Sequence, residues 1–266
     1  MTIGLSTYAY FWQWSEHAPE PLSLTGMLAD TARHGVSLFQ ICDYPPLESM
    51  SGEQLRAVRA TADRLGVELE LGTRGLQPEH LRRFLQLAEL LGARLVRSMM
   101  HTADDKPDLD EAERRLREVL PEYAAAGVTI ALETYEQVPT GTLVELVERV
   151  GDPHLGICLD PANVVAALEH PVSVVESTAA HVRNVHVKDF EFVRSPGWVG
   201  FSLIGAPLGD GLLDREHLLR QVRPQDRGIN EVIEHWLPWQ GDAHTTCAVE
   251  REWTAHNLEQ LRRQRT

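Results

Sequence analysis

Short, nearly continuous apolar runs alternate along the chain with longer stretches in which apolar residues recur every three or four positions. The first pattern is that of a strand buried on both faces, the second that of a helix with one apolar face. The runs IGLSTY (3–8), SLFQICD (37–43), VELELGT (67–73) and ARLVRSMMH (93–101) open four units, and TIALET, LGICLD, VRNVHVKD and INEVIEHW open four more. Helices are expected over 21–35, 51–66, 78–92 and 109–127, then in TLVELVERVG and PVSVVESTAAH, near 214–221, and in a closing segment through Leu261. Punctuation supports the reading: Ser51 suits an N-cap, Pro78 a first turn, and Gly35, Gly66, Gly92 and Gly127 suit helix ends. Long loops are expected after the seventh and eighth strands. Eight strand–helix units joined by right-handed crossovers imply one (β/α)8 barrel over 1–266, with all strand C-termini at one mouth. A doubly wound open sheet would want a glycine-rich phosphate loop after a strand, and none follows here.

The polar residues that interrupt this pattern sit near strand ends. In LGICLDPAN (155–163) an apolar strand stops at Asp160; TIALETYE carries Glu133, VRNVHVKDF carries His186 and Lys188, and INEVIEHW carries Glu234. Strand side chains alternate between the barrel interior and the helix layer. If Glu234 points inward, so do Asn230 and Trp236; His186 inward brings Asn184 and Lys188; Asp160 brings Cys158 and Glu133 brings Ala131. The same choice sends Ile130, Leu132, Ile157, Leu159, Val185, Val187 and Ile233 toward the helices, so the four registers agree. A single buried acid or histidine is ordinarily a hydrogen-bonded core residue. Four at one height on consecutive strands are a metal site, because three crowded carboxylates repel one another without a cation. Three carboxylates and one imidazole are mostly hard donors, which suit Mn²⁺, Mg²⁺ or Co²⁺ better than Zn²⁺.

Other positions carry second-rank expectations. Lys188 either binds a substrate carboxylate or phosphate or makes a salt bridge to a ligand acid. His101, after the fourth strand, either contacts substrate or is a solvated loop residue. Tyr8, Phe11, Trp12 and Trp14 either wall a sugar's CH face or form an oligomer contact, and a homo-oligomer stays open. Glu70 and Arg97 both point inward and are expected to pair with each other, while Cys158 reads as core packing.

The formal charge of −14 excludes general attraction to nucleic acid or anionic membranes. Cys42, Cys158 and Cys247 form no CxxC pair, which suits a reducing cytoplasm. The opening MTIGLSTYAY lacks a basic start followed by an apolar core, so no signal peptide is expected, and no uncharged apolar run reaches membrane-spanning length.

The runs ALETYE, GICLDPANVV, NVHVKDF, GAPLGDG and VIEHW resemble the xylose isomerase-like TIM-barrel superfamily of sugar isomerases and epimerases, and the resemblance covers nearly the whole chain. It implies one divalent metal held by Glu133, Asp160, His186 and Glu234, and a small carbohydrate substrate. In the epimerase branch the two glutamates exchange the proton of the substrate carbon, which would make Glu133 and Glu234 catalytic. Two departures matter: ketose epimerases of this type usually carry a histidine where this chain has Asn163, and an arginine after the histidine strand, where this chain has Lys188 and, further on, Arg194. Some relatives with similar loops decarboxylate oxidised branched sugar acids.

The leading expectation is therefore a metal-dependent isomerase or epimerase of a keto-sugar or sugar acid. Glu133 and Glu234 would move the proton, and Lys188 and Asn163 would orient substrate oxygens. The alternative is a decarboxylase of a β-keto sugar acid that uses the same metal, with Lys188 holding the carboxylate. An abasic-site endonuclease is disfavoured by the acidic charge and by too few matched histidines for three zinc ions. A non-catalytic sugar-binding protein would have lost a ligand, and none is lost.

Overall fold

A computed structural model describes residues 1–263 other than 196 and 198. Eight parallel strands close into a barrel: β1 (Ile3–Ser6), β2 (Leu38–Cys42), β3 (Glu68–Gly72), β4 (Leu95–Ser98), β5 (Thr129–Glu133), β6 (Leu155–Leu159), β7 (Val182–Val187) and, after an intervening hairpin, β10 (Asn230–Ile233). Helices α1 (Leu24–Arg33), α2 (Gly52–Leu65), α3 (Pro78–Leu91), α4 (Leu109–Ala126), α5 (Thr140–Val150), α6 (Pro171–Thr178), α7 (Arg215–Val222) and α8 (Ala243–Arg263) alternate with the barrel strands. Local chemistry places their ends. Ser51 and Gln54 form a reciprocal capping box at the start of α2, and Gly66 ends that helix at φ 67°, a left-handed conformation that costs a glycine little.

Side-chain alternation partitions the barrel as the pattern requires. Ile130, Leu132, Ile157, Leu159, Val185, Val187 and Ile233 are buried in the large core between barrel and helices. Leu95, Ala131 and Cys158 form a separate small apolar cluster, because they lie inside the barrel. Glu231 departs from the rule that helix-facing positions are apolar. It is buried, and Arg215 Nη1 at the start of α7 lies 2.7 Å from its carboxylate.

The strands are shorter than their apolar runs. β1 stops at Ser6, and the chain winds through the helical turns Thr7–Tyr10 and Phe11–Trp14. The loop expected after the seventh strand instead contains an antiparallel hairpin, β8 (Asp189–Arg194) with β9 (Phe201–Ala206), paired from Asp189↔Ala206 to Arg194↔Phe201. Beyond it the segment 207–213 is pinned by one carboxylate. Asp189, nearly fully buried, accepts hydrogen bonds from the backbone nitrogens of Phe190 (2.9 Å), Gly209 (2.8 Å), Gly211 (3.2 Å) and Leu213 (2.9 Å). A Cβ on Gly211 would lie 2.2 Å from Asp189 Oδ1, which accounts for the glycine. Among the described residues the three cysteines are free and buried, and no helix is long and apolar enough to cross a membrane.

Asp189→Ala leaves four backbone donors without their acceptor. A hydrogen bond to a charged group contributes about 1.5–3 kcal/mol net, and since the freed N–H groups can turn to water in the smaller side chain's space, a total loss of roughly 2–4 kcal/mol is expected in chemical denaturation. Hydrogen exchange should show Gly209, Gly211 and Leu213 losing protection while the barrel strands keep theirs.

Candidate functional site

Four strand ends bring the four candidate ligands together. Glu133 closes β5, Asp160 follows β6, His186 lies in β7 and Glu234 follows β10. One donor atom of each lies within 4.8 Å of all the others, and all four residues are buried. His186 Nδ1 faces the acids, 3.2 Å from Glu133 Oε1, 3.5 Å from Glu234 Oε1 and 3.8 Å from Asp160 Oδ2. Asp160 Oδ1 accepts the backbone nitrogens of Ala162 (3.0 Å) and Asn163 (3.2 Å), whereas buried Oδ2 accepts no hydrogen bond. Its near neighbour is Lys188 Nζ at 2.8 Å, an ion contact without hydrogen-bond alignment. Converging hard donors, one oxygen of them without a hydrogen bond, fit a divalent cation.

Lys188 and Arg97 compensate the acids. Lys188 Nζ sits between Asp160 and Glu234, 2.8 Å and 3.0 Å away, and 4.5 Å from the centre of the Trp236 ring. Arg97 Nε lies 2.9 Å from Glu133 Oε2. Burial raises the Glu133 carboxyl, but Arg97, His186 and Lys188 outweigh it and hold the group well below the usual carboxylate range. Burial also raises Asp160, and there the neighbouring acids Glu133 and Glu234 act in the same direction, so Lys188 does not restore its ordinary value. Burial works against a charged Lys188, yet Asp160, Glu234 and Glu133 together raise its pKa.

The expected Glu70–Arg97 pair does not form. Arg97 pairs opposite Gly72 on β3, two residues beyond Glu70, and its guanidinium reaches Asp43 and Glu133 instead. Glu70 is bonded to three amides, those of Gln40 (3.1 Å), Asn184 (3.1 Å) and Asn230 (2.8 Å). Shared parity on neighbouring strands sets the face of a side chain and not its height.

Asn163 braces the ligands: its Nδ2 donates to Glu133 Oε1 at 2.9 Å and to the Thr134 carbonyl at 3.3 Å. Tyr8 stands at the rim, its hydroxyl 2.9 Å from Asp43 Oδ2 and 3.0 Å from Arg74 Nη2. Trp12 donates its indole N–H to the Leu237 carbonyl (2.8 Å) and packs against Trp239. Tyr8, Phe11, Trp12 and Trp236 line a cavity of about 270 Å³ together with Glu250. His101 bonds within its own loop, to the Pro107 carbonyl at 3.2 Å, and Arg194 lies over the Phe201 ring on the hairpin. Asp43, Arg74, Gln40 and Glu250 were not singled out from the sequence. Gln40 alone carried a signal there, an amide in the middle of an apolar strand.

Fold and centre together define a class, a closed β/α barrel with a metal-capable set of four donors at the C-terminal mouth of its strands. The chain belongs to the xylose isomerase-like TIM-barrel family, whose model matches residues 28–264. It is 51% identical over 261 residues to the 3-oxo-isoapionate decarboxylase of Pectobacterium atrosepticum, covering 98% of this chain and 95% of that one. Among solved structures, D-psicose 3-epimerase from Clostridium cellulolyticum H10 matches with a TM-score of 0.74 at 14% identity, covering 98% of this chain and 99% of that one. A xylose isomerase-like TIM barrel protein from Mycobacterium smegmatis, in complex with magnesium, matches with a TM-score of 0.71 at 17% identity, covering 96% of each chain. At these identities the structures establish the fold.

Two measurements follow from the site. Mn²⁺ at about 100 times its dissociation constant should stabilise the native protein by roughly 2.7 kcal/mol. Asp160→Ala should abolish that gain and lower the bound metal, and unchanged stoichiometry in the variant would contradict the ligand set. Separately, burial raises the Glu250 carboxyl to about 7 against the opposing backbone donors of Trp12 and Gln13. An unfolded carboxyl ionises near 4.5. Between that pH and 7 the folded chain keeps a proton that the unfolded chain has released, so stability falls as pH rises. Metal-free wild type should therefore lose more melting temperature than Glu250→Gln between pH 5 and 7.

Proposed function

We propose that this protein is a divalent-metal-dependent decarboxylase of a branched 3-oxo sugar acid. The observation that carries the reading is Lys188, an ammonium set inside the acid cluster, in contact with both Asp160 and Glu234. The 51% identity to a 3-oxo-isoapionate decarboxylase along almost the whole of both chains supports it. An ion held by Glu133, Asp160, His186 and Glu234 would supply Lewis-acid polarisation of the substrate's oxo group. Lys188 binds the substrate carboxylate beside that group and fixes its orientation. The bond between the carboxylate carbon and C2 breaks, and its electron pair passes toward the oxo carbon to give an enolate. Carbon dioxide leaves, and C2 takes one proton from solvent. Asn163 donates to one Glu133 oxygen and Arg97 lies against the other, and Arg97, His186 and Lys188 hold that carboxyl low against its burial, which makes it a weak base.

An epimerase or isomerase is the second reading, favoured by the meeting of Glu133 and Glu234 in one centre. It needs two working bases, and the Arg97 contact counts against Glu133. The assay that separates the readings supplies 3-oxo-isoapionate and Mn²⁺ in deuterated water. Decarboxylation gives stoichiometric carbon dioxide and one deuterium in the product, and Lys188→Met lowers kcat/KM by about 10²–10³-fold. Deuterium in recovered substrate without carbon dioxide would overturn the decarboxylase reading.

A further inference from the structure

Beneath the four ligands runs a chain of hydrogen bonds that centres on the buried Glu70 carboxylate, whose two oxygens accept on either side. The backbone N–H of Thr2 lies 2.9 Å from Asn230 Oδ1, and since that N–H can only donate, Asn230 must turn its amide nitrogen the other way, 2.8 Å from Glu70 Oε1. On the other oxygen of Glu70 stand Gln40 Nε2 and Asn184 Nδ2, each at 3.1 Å. Gln40 Nε2 also reaches Asn184 Oδ1 at 3.3 Å. With its nitrogen so committed, Gln40 presents its oxygen to His186, whose Nε2 lies 2.9 Å away. A carbonyl oxygen only accepts, so Nε2 carries the hydrogen. Nδ1 is then the nitrogen that faces Glu133, Asp160 and Glu234.

We propose that Gln40, aligned by Glu70, is a positioning residue that holds His186 in its Nε2–H form and presents the Nδ1 lone pair to the divalent ion. The inference rests on the metal reading above. A neutral imidazole has one donor and one acceptor nitrogen, and the partner of one decides the role of the other. A Gln40 amide turned end for end would offer N–H groups to Nε2, which would then have to accept. The ring hydrogen would move to Nδ1, where the cation must bind. Glu70 prevents this through Gln40, without touching His186. Outer partners that orient a ligating histidine are worth about 10–100-fold in metal affinity.

The test is Mn²⁺ titration of the full chain by the electron paramagnetic resonance of free Mn²⁺, with the visible spectrum of the Co²⁺ form as a second readout. Gln40→Met and Glu70→Gln should each raise the Mn²⁺ dissociation constant about 10–100-fold and shift the Co²⁺ spectrum. Leu95→Val disturbs the neighbouring apolar cluster without touching the chain of amides, and should leave both unchanged. If Gln40→Met does not fold, Glu70→Gln decides alone, because it alters a residue two hydrogen bonds from the ion. Folded variants with wild-type affinity and spectrum would overturn the role of Gln40 and leave the metal reading standing. A wild type that binds no Mn²⁺ would overturn both.

Discussion

Three carboxylates buried against one another must be matched by positive charge, and much of the barrel mouth is arranged around that requirement. Arg97 lies against Oε2 of Glu133 and Lys188 is shared by Asp160 and Glu234, and a divalent ion at the point where His186 Nδ1 meets the three acids would supply the remaining charge. The compensation extends outward, because Arg97 also needs an anion on its far side. Asp43 supplies it from a left-handed backbone position at φ 45°, held there by Arg97, Arg74 and the Tyr8 hydroxyl. Burial raises the Asp43 carboxyl, but the two guanidinium groups outweigh it and keep it well below the usual carboxylate range. Rim and centre are thus one electrostatic unit.

The aromatic wall over the mouth is placed by the end of the chain. Glu250, on α8, accepts the backbone nitrogens of Trp12 at 2.8 Å and Gln13 at 3.0 Å. The first helical turns after β1 are therefore tied to the last helix, at the seam where β1 meets β10. The position of Trp12 depends on this tie as much as on its own packing.

The barrel was legible in the sequence because its cause is periodic. A strand buried on both faces reads as an apolar run, and a polar residue at its end stands out, which is how Glu133, Asp160, His186 and Glu234 were found. The hairpin of β8 and β9 was not legible. DFEFVR mixes apolar and charged residues, and FSLIGA leads on to a loop rich in glycine, so neither resembles a buried strand. The partner of Arg97 was misassigned for a different reason. Alternation tells inside from outside, but the height of a residue follows from the stagger between strands, and that stagger sets Gly72 rather than Glu70 opposite Arg97. Asp43 left no mark, since an acid at the end of a strand is equally at home in solvent.

Lys188 and Asp189 are adjacent, yet one reaches the acid cluster and the other gathers the loop 207–213 by its main chain. Backbone N–H groups hold the loop, and of its own side chains Leu208 and Leu213 anchor it to the core. Pro207, Asp210 and Leu212 can be exchanged while the loop stays registered to the segment that carries Lys188, provided Gly209 and Gly211 keep their space and conformation. The fold has in effect separated where this loop sits from what it says. Sequence can change there without refolding the barrel beneath it.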